Sequence, residues 1–174
     1  MNNYLGVLLI LTLTSCTNSK KHVVSAQQNN SAARAIEGVQ LESPKIQAIY
    51  ESYIALKNSL VASKYDDSKI AANQLSLDLG EYQGCETTAL IAKKISVSKD
   101  LQEQRKEFTY LSSDVIALFM HTTIKQGVIY VAHCPMANHG EGGDWLSGEK
   151  KIQNPYYGDA MLECGAVTQV LKKN

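Results

Sequence analysis

The sequence predicts a mostly helical fold: an antiparallel four-helix bundle with a C-terminal irregular loop that contains cysteine and methionine, and one short extended segment. Apolar residues recur at helical spacing over four segments, and the turns between these segments are short. Two of the three prolines, the only tryptophan and two cysteines lie together after the last of these segments. We therefore expect helices first and an irregular region last.

The bulk composition limits the classes of function. A chain of 174 residues fits one domain. Its 17 basic and 17 acidic residues balance, so the basic surface typical of a nucleic-acid-binding protein is not expected. After residue 15, no apolar run is long enough to span a bilayer.

Residues 1–15 have the pattern of a signal peptide, with an apolar core over residues 4–14. This core ends in Leu13-Thr14-Ser15-Cys16, which resembles a bacterial lipobox, so Cys16 is the predicted lipidation site. The first three residues, MNN, depart from the usual pattern because they include no Lys or Arg. The alternative is a secretory signal without lipidation, in which the cysteine is incidental.

The next residues predict a location in the cell envelope. Residues 16–43 are rich in Asn, Ser, Gln, Ala and Lys, which is typical of a flexible tether. We expect a lipid-anchored domain, residues 44–174, that faces the periplasm. Thr17 is not the aspartate associated with inner-membrane retention, so the outer membrane is favoured.

The first two predicted helices follow the tether. The first runs over residues 44–62 with Ser43 as its N-cap, and we place Lys57 on its solvent face. The second is capped by Asp66 or Asp67 and ends at residue 79. The residues expected to face inward are Ile46, Ile49, Tyr50, Tyr53, Ile54, Leu60 and Val61 in the first helix, and Ile70, Ala71, Leu75 and Leu79 in the second.

Two more helices and the irregular region complete the fold. The third helix covers residues 86–97, with Thr88, Leu90, Ile91 and Ile95 on its apolar side. The fourth begins at Ser98 or Asp100 and closes at Gly127. Residues 128–132 are rich in β-branched side chains and predict an extended segment. Residues 138–143 predict a loop, Asn154-Pro155 predicts a turn, and Asp159 is a candidate cap for a last short helix through Cys164.

Four sulfur-containing residues form the candidate site. Cys134 and Met136 lie two apart on a segment predicted to be extended, where their side chains point the same way. Met161 and Cys164 lie three apart in the last predicted helix, on one face. Thiolate and thioether are soft ligands that favour Cu(I). We therefore predict that these four residues bind Cu(I), with His133 as a further candidate ligand.

A disulfide between Cys134 and Cys164 is the alternative to metal binding. It would close a loop of about thirty residues and stabilise the fold by roughly 3 kcal/mol in an oxidising compartment. The methionines would then be ordinary core residues, and the domain would act as an envelope interaction module without a metal. The two interpretations do not exclude each other, because a reduced pair could bind metal and an oxidised pair could release it.

The remaining residues with reactive side chains give no indication of enzymatic activity. The sequence has no Gly-rich phosphate loop and no Cys-x-x-Cys redox motif, and adjacent His133 and Cys134 would point apart on a strand. We therefore expect no enzyme. The other residues considered are His139 as a weaker ligand, His121 at the surface, Met120 in the core, Cys85 as a free thiol, and Trp145, Tyr156 and Tyr157 as packing residues.

Several short motifs, in one order, resemble the DUF3347 family. They are Cys134-Pro135-Met136-Ala137, Asp144-Trp145-Leu146-Ser147, Ile152, Asn154-Pro155-Tyr156-Tyr157-Gly158 and Met161-Leu162-Glu163-Cys164-Gly165, with Tyr53-Ile54-Ala55-Leu56-Lys57-Asn58-Ser59-Leu60, Phe108 and Leu111-Ser112 upstream. Domains of this family occur alone in exported bacterial proteins or fused to periplasmic adaptor subunits of heavy-metal efflux pumps. The resemblance implies a metal-handling context, with copper as the metal and efflux-pump components as partners.

Overall fold

The first long helix begins at Pro44, as the sequence predicts. The computed structural model describes residues 38–173. Helix α1 spans Pro44–Val61, and the Ser43 hydroxyl oxygen accepts a hydrogen bond from the Ile46 amide at 3.5 Å. A two-residue strand, β1 (Gln40–Leu41), precedes it. Val39 and Leu41 are buried, so the folded part begins before the predicted boundary at residue 44. The predicted signal peptide and residues 16–37 of the predicted tether lie outside the described residues.

Three further helices follow with short connections. They are α2 (Tyr65–Gly80), α3 (Glu86–Val97) and α4 (Leu101–Met120). The Asp100 carboxylate caps α4 by accepting from the Glu103 amide at 2.8 Å. Lys64 occupies the N-cap position of α2, so the predicted cap is wrong. Asp66 and Asp67 lie in its first turn, where carboxylates favour the helix dipole.

Some predicted core positions are wrong, and helical geometry explains why. Ile70 and Leu90 are 71% and 65% exposed. Each lies five residues before a buried residue of its own helix, Leu75 or Ile95, and is therefore turned about 140° away from it. Lys57 is buried, not exposed, because it is four residues after Tyr53 and three before Leu60 on the inward face.

Helix α4 ends earlier than predicted. Its last residue is Met120, which is about half exposed rather than in the core. The chain then forms strand β2 (Ile124–Gln126), which pairs antiparallel with β1. Gly127 therefore closes a strand, not a helix. Local helical spacing does not reveal this, since β2 depends on a partner more than eighty residues earlier in the chain.

The C-terminal third contains a second sheet that the sequence analysis missed in part. The predicted extended segment is strand β3 (Val128–Cys134), which lies between β4 (Gly143–Ser147) and β5 (Ala166–Lys172). Both neighbours are antiparallel to β3. Residues 38–173 therefore form a mostly helical fold with two small antiparallel sheets, and a four-helix bundle is not confirmed.

The helices and the larger sheet meet at one tyrosine. The Tyr53 hydroxyl lies 2.7 Å from the Ser112 hydroxyl of α4 and accepts a hydrogen bond from the Leu146 amide of β4 at 3.1 Å. Its ring stacks on Phe108 with the centroids 5.5 Å apart. A single buried side chain of α1 therefore contacts both α4 and the sheet. None of the helices in the described part of the chain is long and apolar enough to cross a membrane.

Candidate cysteine site

The register of β3 and β5 brings two cysteines together. His133 of β3 pairs with Ala166 of β5. Because the strands are antiparallel, Cys134 continues past this pair in the direction from which Cys164 enters β5. The two sulfur atoms lie 2.7 Å apart. Cys134 is fully buried and Cys164 is half-buried, so the pair is accessible from the Cys164 side.

Gly165 permits this approach. Its φ is +137°, and a Cβ atom at this position would lie 2.8 Å from the His133 carbonyl oxygen and 2.9 Å from the Trp145 ring. Both distances are shorter than side chains tolerate, and the φ favours glycine. The absence of a side chain at Gly165 therefore lets the segment that carries Cys164 pass directly over β3 and Trp145.

Asn154 fixes the loop that precedes Cys164. This residue is fully buried, and its side-chain amide donates to the Cys164 carbonyl at 3.0 Å. Its side-chain oxygen accepts from the Tyr156 amide at 2.8 Å, and its own amide donates to the Leu162 carbonyl at 2.8 Å. A buried polar side chain with this many partners holds one loop conformation. Asn154 therefore positions Cys164 in addition to forming the predicted turn.

The predicted local structure around the methionines is wrong. Cys134 is the last residue of β3, and Met136 already has helical backbone angles and is 53% exposed. Near the other cysteine, a 3₁₀ turn ends at residue 160, so Met161 and Cys164 do not share a helix. The extended and helical alignments that motivated a four-sulfur site are therefore both absent at these positions.

Both methionines nevertheless contact Cys164 through their backbones. The Met136 amide donates to the Cys164 sulfur, and the Met161 carbonyl accepts from the Cys164 amide at 3.1 Å. The hydrogen bond between the two sulfurs, together with burial, raises the pKa of the Cys164 thiol, while the Met136 amide opposes this rise. The Cys164 thiol therefore holds its proton more tightly than an ordinary cysteine does.

The contacts found for the histidines in the described residues do not involve the two cysteine sulfurs. His133 Nδ1 lies 3.0 Å from a carboxylate oxygen of Asp144 on the neighbouring strand. His139 has a left-handed backbone, with φ at +61°, and is exposed in the four-residue helical turn Ala137–Gly140, which replaces part of the predicted loop. His121 is exposed just after α4, as predicted. In residues 38–173, no three side chains of His, Cys, Asp or Glu cluster as a metal site.

The aromatic residues pack as the sequence analysis expected. Trp145 is buried with its ring edge toward Tyr156, whose hydroxyl donates to the Asp144 carbonyl at 2.8 Å. The Tyr157 hydroxyl donates to the Met136 carbonyl. Cys85 lies in the turn before α3, as predicted, and burial raises the pKa of its thiol. Trp145, Tyr156 and Tyr157 thus pack on the strand and loop next to the cysteine pair, whereas Cys85 lies in the turn before α3.

Two residues of the site were missed by sequence reasoning. The motif that contains Gly165 and the turn that contains Asn154 do not reveal that these residues position Cys164. Their position in the sequence offered a signal: a glycine directly after a cysteine, and an asparagine before a proline ten residues earlier. Neither signal specifies the partner, because the contacts of both residues depend on the pairing of β3 with β5.

The fold and the site define a class: a mostly helical domain with a small antiparallel sheet that carries a cysteine pair at one end. Residues 49–127 match the model of the family described as a protein of unknown function, DUF3347. This match covers 79 of the 174 residues, a little under half of the chain. The match begins within α1, includes α2 to α4 and ends before the cysteine pair. Comparisons with curated proteins and with solved structures gave no match.

Proposed function

We propose that this protein binds Cu(I) in the cell envelope, with Cys134 and Cys164 as the two principal ligands. The observation that carries the proposal is the 2.7 Å separation of two sulfurs that are thirty residues apart in the sequence. Two thiolates form a soft donor set that favours Cu(I) over harder ions. The family resemblance of the surrounding motifs to metal-efflux components supports the same metal.

The two methionines are proposed as additional ligands. Their backbones lie within one hydrogen bond of Cys164, so their thioethers have only a side-chain length to cover. Met136 is about half exposed and is free to change rotamer. Met161 is half-buried. His133 is a weaker candidate, since its Nδ1 is already paired with Asp144.

Metal loading requires a small movement of the sulfurs. Two sulfurs bound to one ion at about 2.3 Å each are about 3.8 Å apart at a tetrahedral angle. The observed separation of 2.7 Å must therefore increase by roughly 1 Å. Cys164 lies in a loop and is half-buried, so rotation of its side chain supplies this movement while Cys134 stays in the sheet.

A disulfide is the second candidate, and the same short distance favours it. The sulfurs are closer than one bridging ion would set them, although farther apart than the ~2.05 Å of a covalent bond. A bond here would join the end of β3 to the start of β5 and stabilise the fold by about 3 to 4 kcal/mol. The domain would then be a disulfide-stabilised envelope module that binds partners and no metal.

The proposed location follows from the N-terminal sequence. The signal-like residues 1–15 and the lipobox-like Cys16 support a lipid anchor on an exported protein, with the domain facing the periplasm and the outer membrane favoured. Components of a heavy-metal efflux pump are the proposed partners. We propose a binding role rather than an enzymatic one, and no nucleic-acid partner.

Copper competition tests the proposal. Each protein is titrated under reducing conditions against a chromophoric Cu(I) chelator. We expect Cys134→Ser and Cys164→Ser to weaken binding at least a hundredfold, and Met136→Leu and Met161→Leu to weaken it several-fold with little change in packing. Cys85→Ser is the matched control and should bind like the wild type. Equal affinity in all five variants would show that copper does not bind at this pair.

Thiol titration separates the two candidates. The chain from Thr17 onward contains three cysteines, Cys85, Cys134 and Cys164. Unfolded in the absence of reductant, it should show three reactive thiols if the pair is reduced and one if the pair is a disulfide. A single thiol that persists after mild reduction, together with no copper uptake, would favour the disulfide module over the copper site.

A further inference from the structure

A basic edge lies where the described chain enters the fold. Strand β1 pairs with β2, which carries Lys125. Lys172, at the end of β5, and Lys173 after it line the same groove of about 430 Å³. His121 and Met120, from the end of α4, complete the wall. We call these five residues the N-terminal edge.

The charge of this edge is mostly uncompensated. Lys125, Lys172 and Lys173 are exposed, and none of them forms an ion pair with another residue in the 38–173 range. Glu42 also lines the groove and offsets one positive charge. The edge therefore keeps a local positive charge although the whole chain is neutral. Such a patch attracts anionic surfaces at short range.

An apolar side chain lies within the same edge. Met120 is 49% exposed, with its flexible thioether beside the lysines. Basic side chains that surround an exposed apolar one match the interface of a bilayer, where lysines meet headgroups and the apolar group enters the acyl boundary. A small soluble anion would use the lysines but would gain nothing from Met120.

The position of the edge along the chain identifies the occupant. The edge adjoins Gly38, where the described chain begins: the Gly38 carbonyl lies so close to Gly127, after β2, that a Cβ there would clash with it. Cys16, the lipidation site of the proposed function, is 22 residues earlier, a span of at most about 75 Å. We propose that the N-terminal edge docks on the anionic phospholipid surface to which the chain is anchored.

This inference uses the anchoring part of the proposed function but not the copper site. Anchoring makes docking intramolecular, so a weak surface interaction suffices to orient the domain. Each lysine near an anionic surface strengthens binding about fivefold. Removing all three should therefore weaken binding by about a hundredfold, or somewhat less where Glu42 already offsets one charge.

Vesicle binding of the lipid-free protein tests the inference. The chain from Thr17 onward contains every described residue and lacks the apolar N-terminus and the lipid site. It is sedimented with vesicles of phosphatidylcholine and phosphatidylglycerol in a 3:1 ratio, and with phosphatidylcholine alone. We expect binding to the anionic vesicles only, a tenfold to hundredfold loss in the triple variant Lys125→Gln, Lys172→Gln, Lys173→Gln, and a several-fold loss in Met120→Ser.

The matched control removes the same charge elsewhere. Lys94→Gln, Lys99→Gln and Lys106→Gln replace three exposed lysines of α3, the α3–α4 turn and the start of α4. Lys106 is fourteen residues before Met120 on one helix, or about 21 Å along its axis. This control variant should bind anionic vesicles like the wild type to within about threefold. Circular dichroism checks that both triple variants keep their helix content.

Three results would overturn the inference. Equal loss in the two triple variants would show that only net charge matters. Equal binding to neutral and anionic vesicles would remove the role of the lysines. Displacement by inorganic phosphate at constant ionic strength would identify a small-anion site instead of a surface. Copper affinity, measured on the same variants, should not change, so failure here is distinguishable from failure of the copper site.

Discussion

Replacement of Lys57 by methionine should stabilise the protein in a pH-dependent way. Lys57 is 3% exposed in α1, and burial lowers the pKa of its amine to about 8 from 10.5, with Glu149 opposing the shift. The unfolded chain keeps the proton up to about pH 10.5, whereas the folded chain releases it near pH 8. The stability of the wild type therefore rises with pH between these two values.

The size of the effect follows from the two pKa values. At pH 7 the buried charge costs about 3 kcal/mol relative to a neutral side chain, and at pH 9.5 this cost falls to about 1 kcal/mol. Methionine has nearly the same length and no charge. The difference in unfolding free energy between Lys57→Met and the wild type should therefore shrink by about 2 kcal/mol over this range.

Urea unfolding, followed by circular dichroism at half-unit steps from pH 7 to pH 9.5, measures this difference. Ionisation of the tyrosines and cysteines is common to both proteins and cancels when the two curves are subtracted. Lys45→Met is the control, since Lys45 is on the same helix but exposed. A difference that stays flat with pH would refute the argument that the amine of Lys57 loses its proton on folding.

Three further substitutions test the contacts that build the site. Tyr53→Phe removes the hydroxyl that joins Ser112 to the Leu146 amide and should lower the unfolding free energy by about 1 to 3 kcal/mol, measured by urea unfolding; a neutral effect would mean that water replaces the hydroxyl. Gly165→Ala should cost about 1 to 3 kcal/mol, and it should slow oxidation of the Cys134–Cys164 pair in a timed thiol assay, whereas unchanged kinetics would show that the loop adapts. Asn154→Ala, compared with the exposed-site control Asn58→Ala, should slow the same oxidation because the Cys164 carbonyl loses its partner; identical rates in the two variants would argue against a positioning role.

The helices were predictable because their signals are local. The limits of α1 and α3 agree closely with the predicted ranges, and Ser43 marks the start of α1 in the sequence itself. Strands β4 and β5 were missed. Their side chains do not alternate clearly between apolar and polar, and β5 is mostly exposed. What stabilises these strands is pairing with β3, and pairing is a property of distant segments.

In the candidate site, too, local features were predictable from the sequence and long-range contacts were not. The chemistry of Cys134 and Cys164 was apparent from residue type, and the structure places their sulfurs together. The structural element that aligns Cys164 is not the predicted helix. The register between β3 and β5 places this residue next to Cys134. The positioning roles of Gly165 and Asn154 could not be assigned from the sequence, since Gly165 passes β3 and Trp145, and Asn154 bonds the Cys164 carbonyl ten residues later. Residue type therefore identified the reactive groups, whereas the residues that position them depend on tertiary structure.

The pairing of strand β5 with β3 determines how the C-terminal segment detaches from the sheet. Within the described residues, β5 is hydrogen-bonded to β3 alone, and most of its residues are exposed, so it opens locally at a lower free energy than the central strand β3. Cys164 precedes it by two residues. A bond between the two sulfurs would pin its first residues to β3, and fraying could then start only from Lys172. When the sulfurs are separate, β5 can detach from either end, and Gly165 becomes a hinge that releases Cys164 from the sheet.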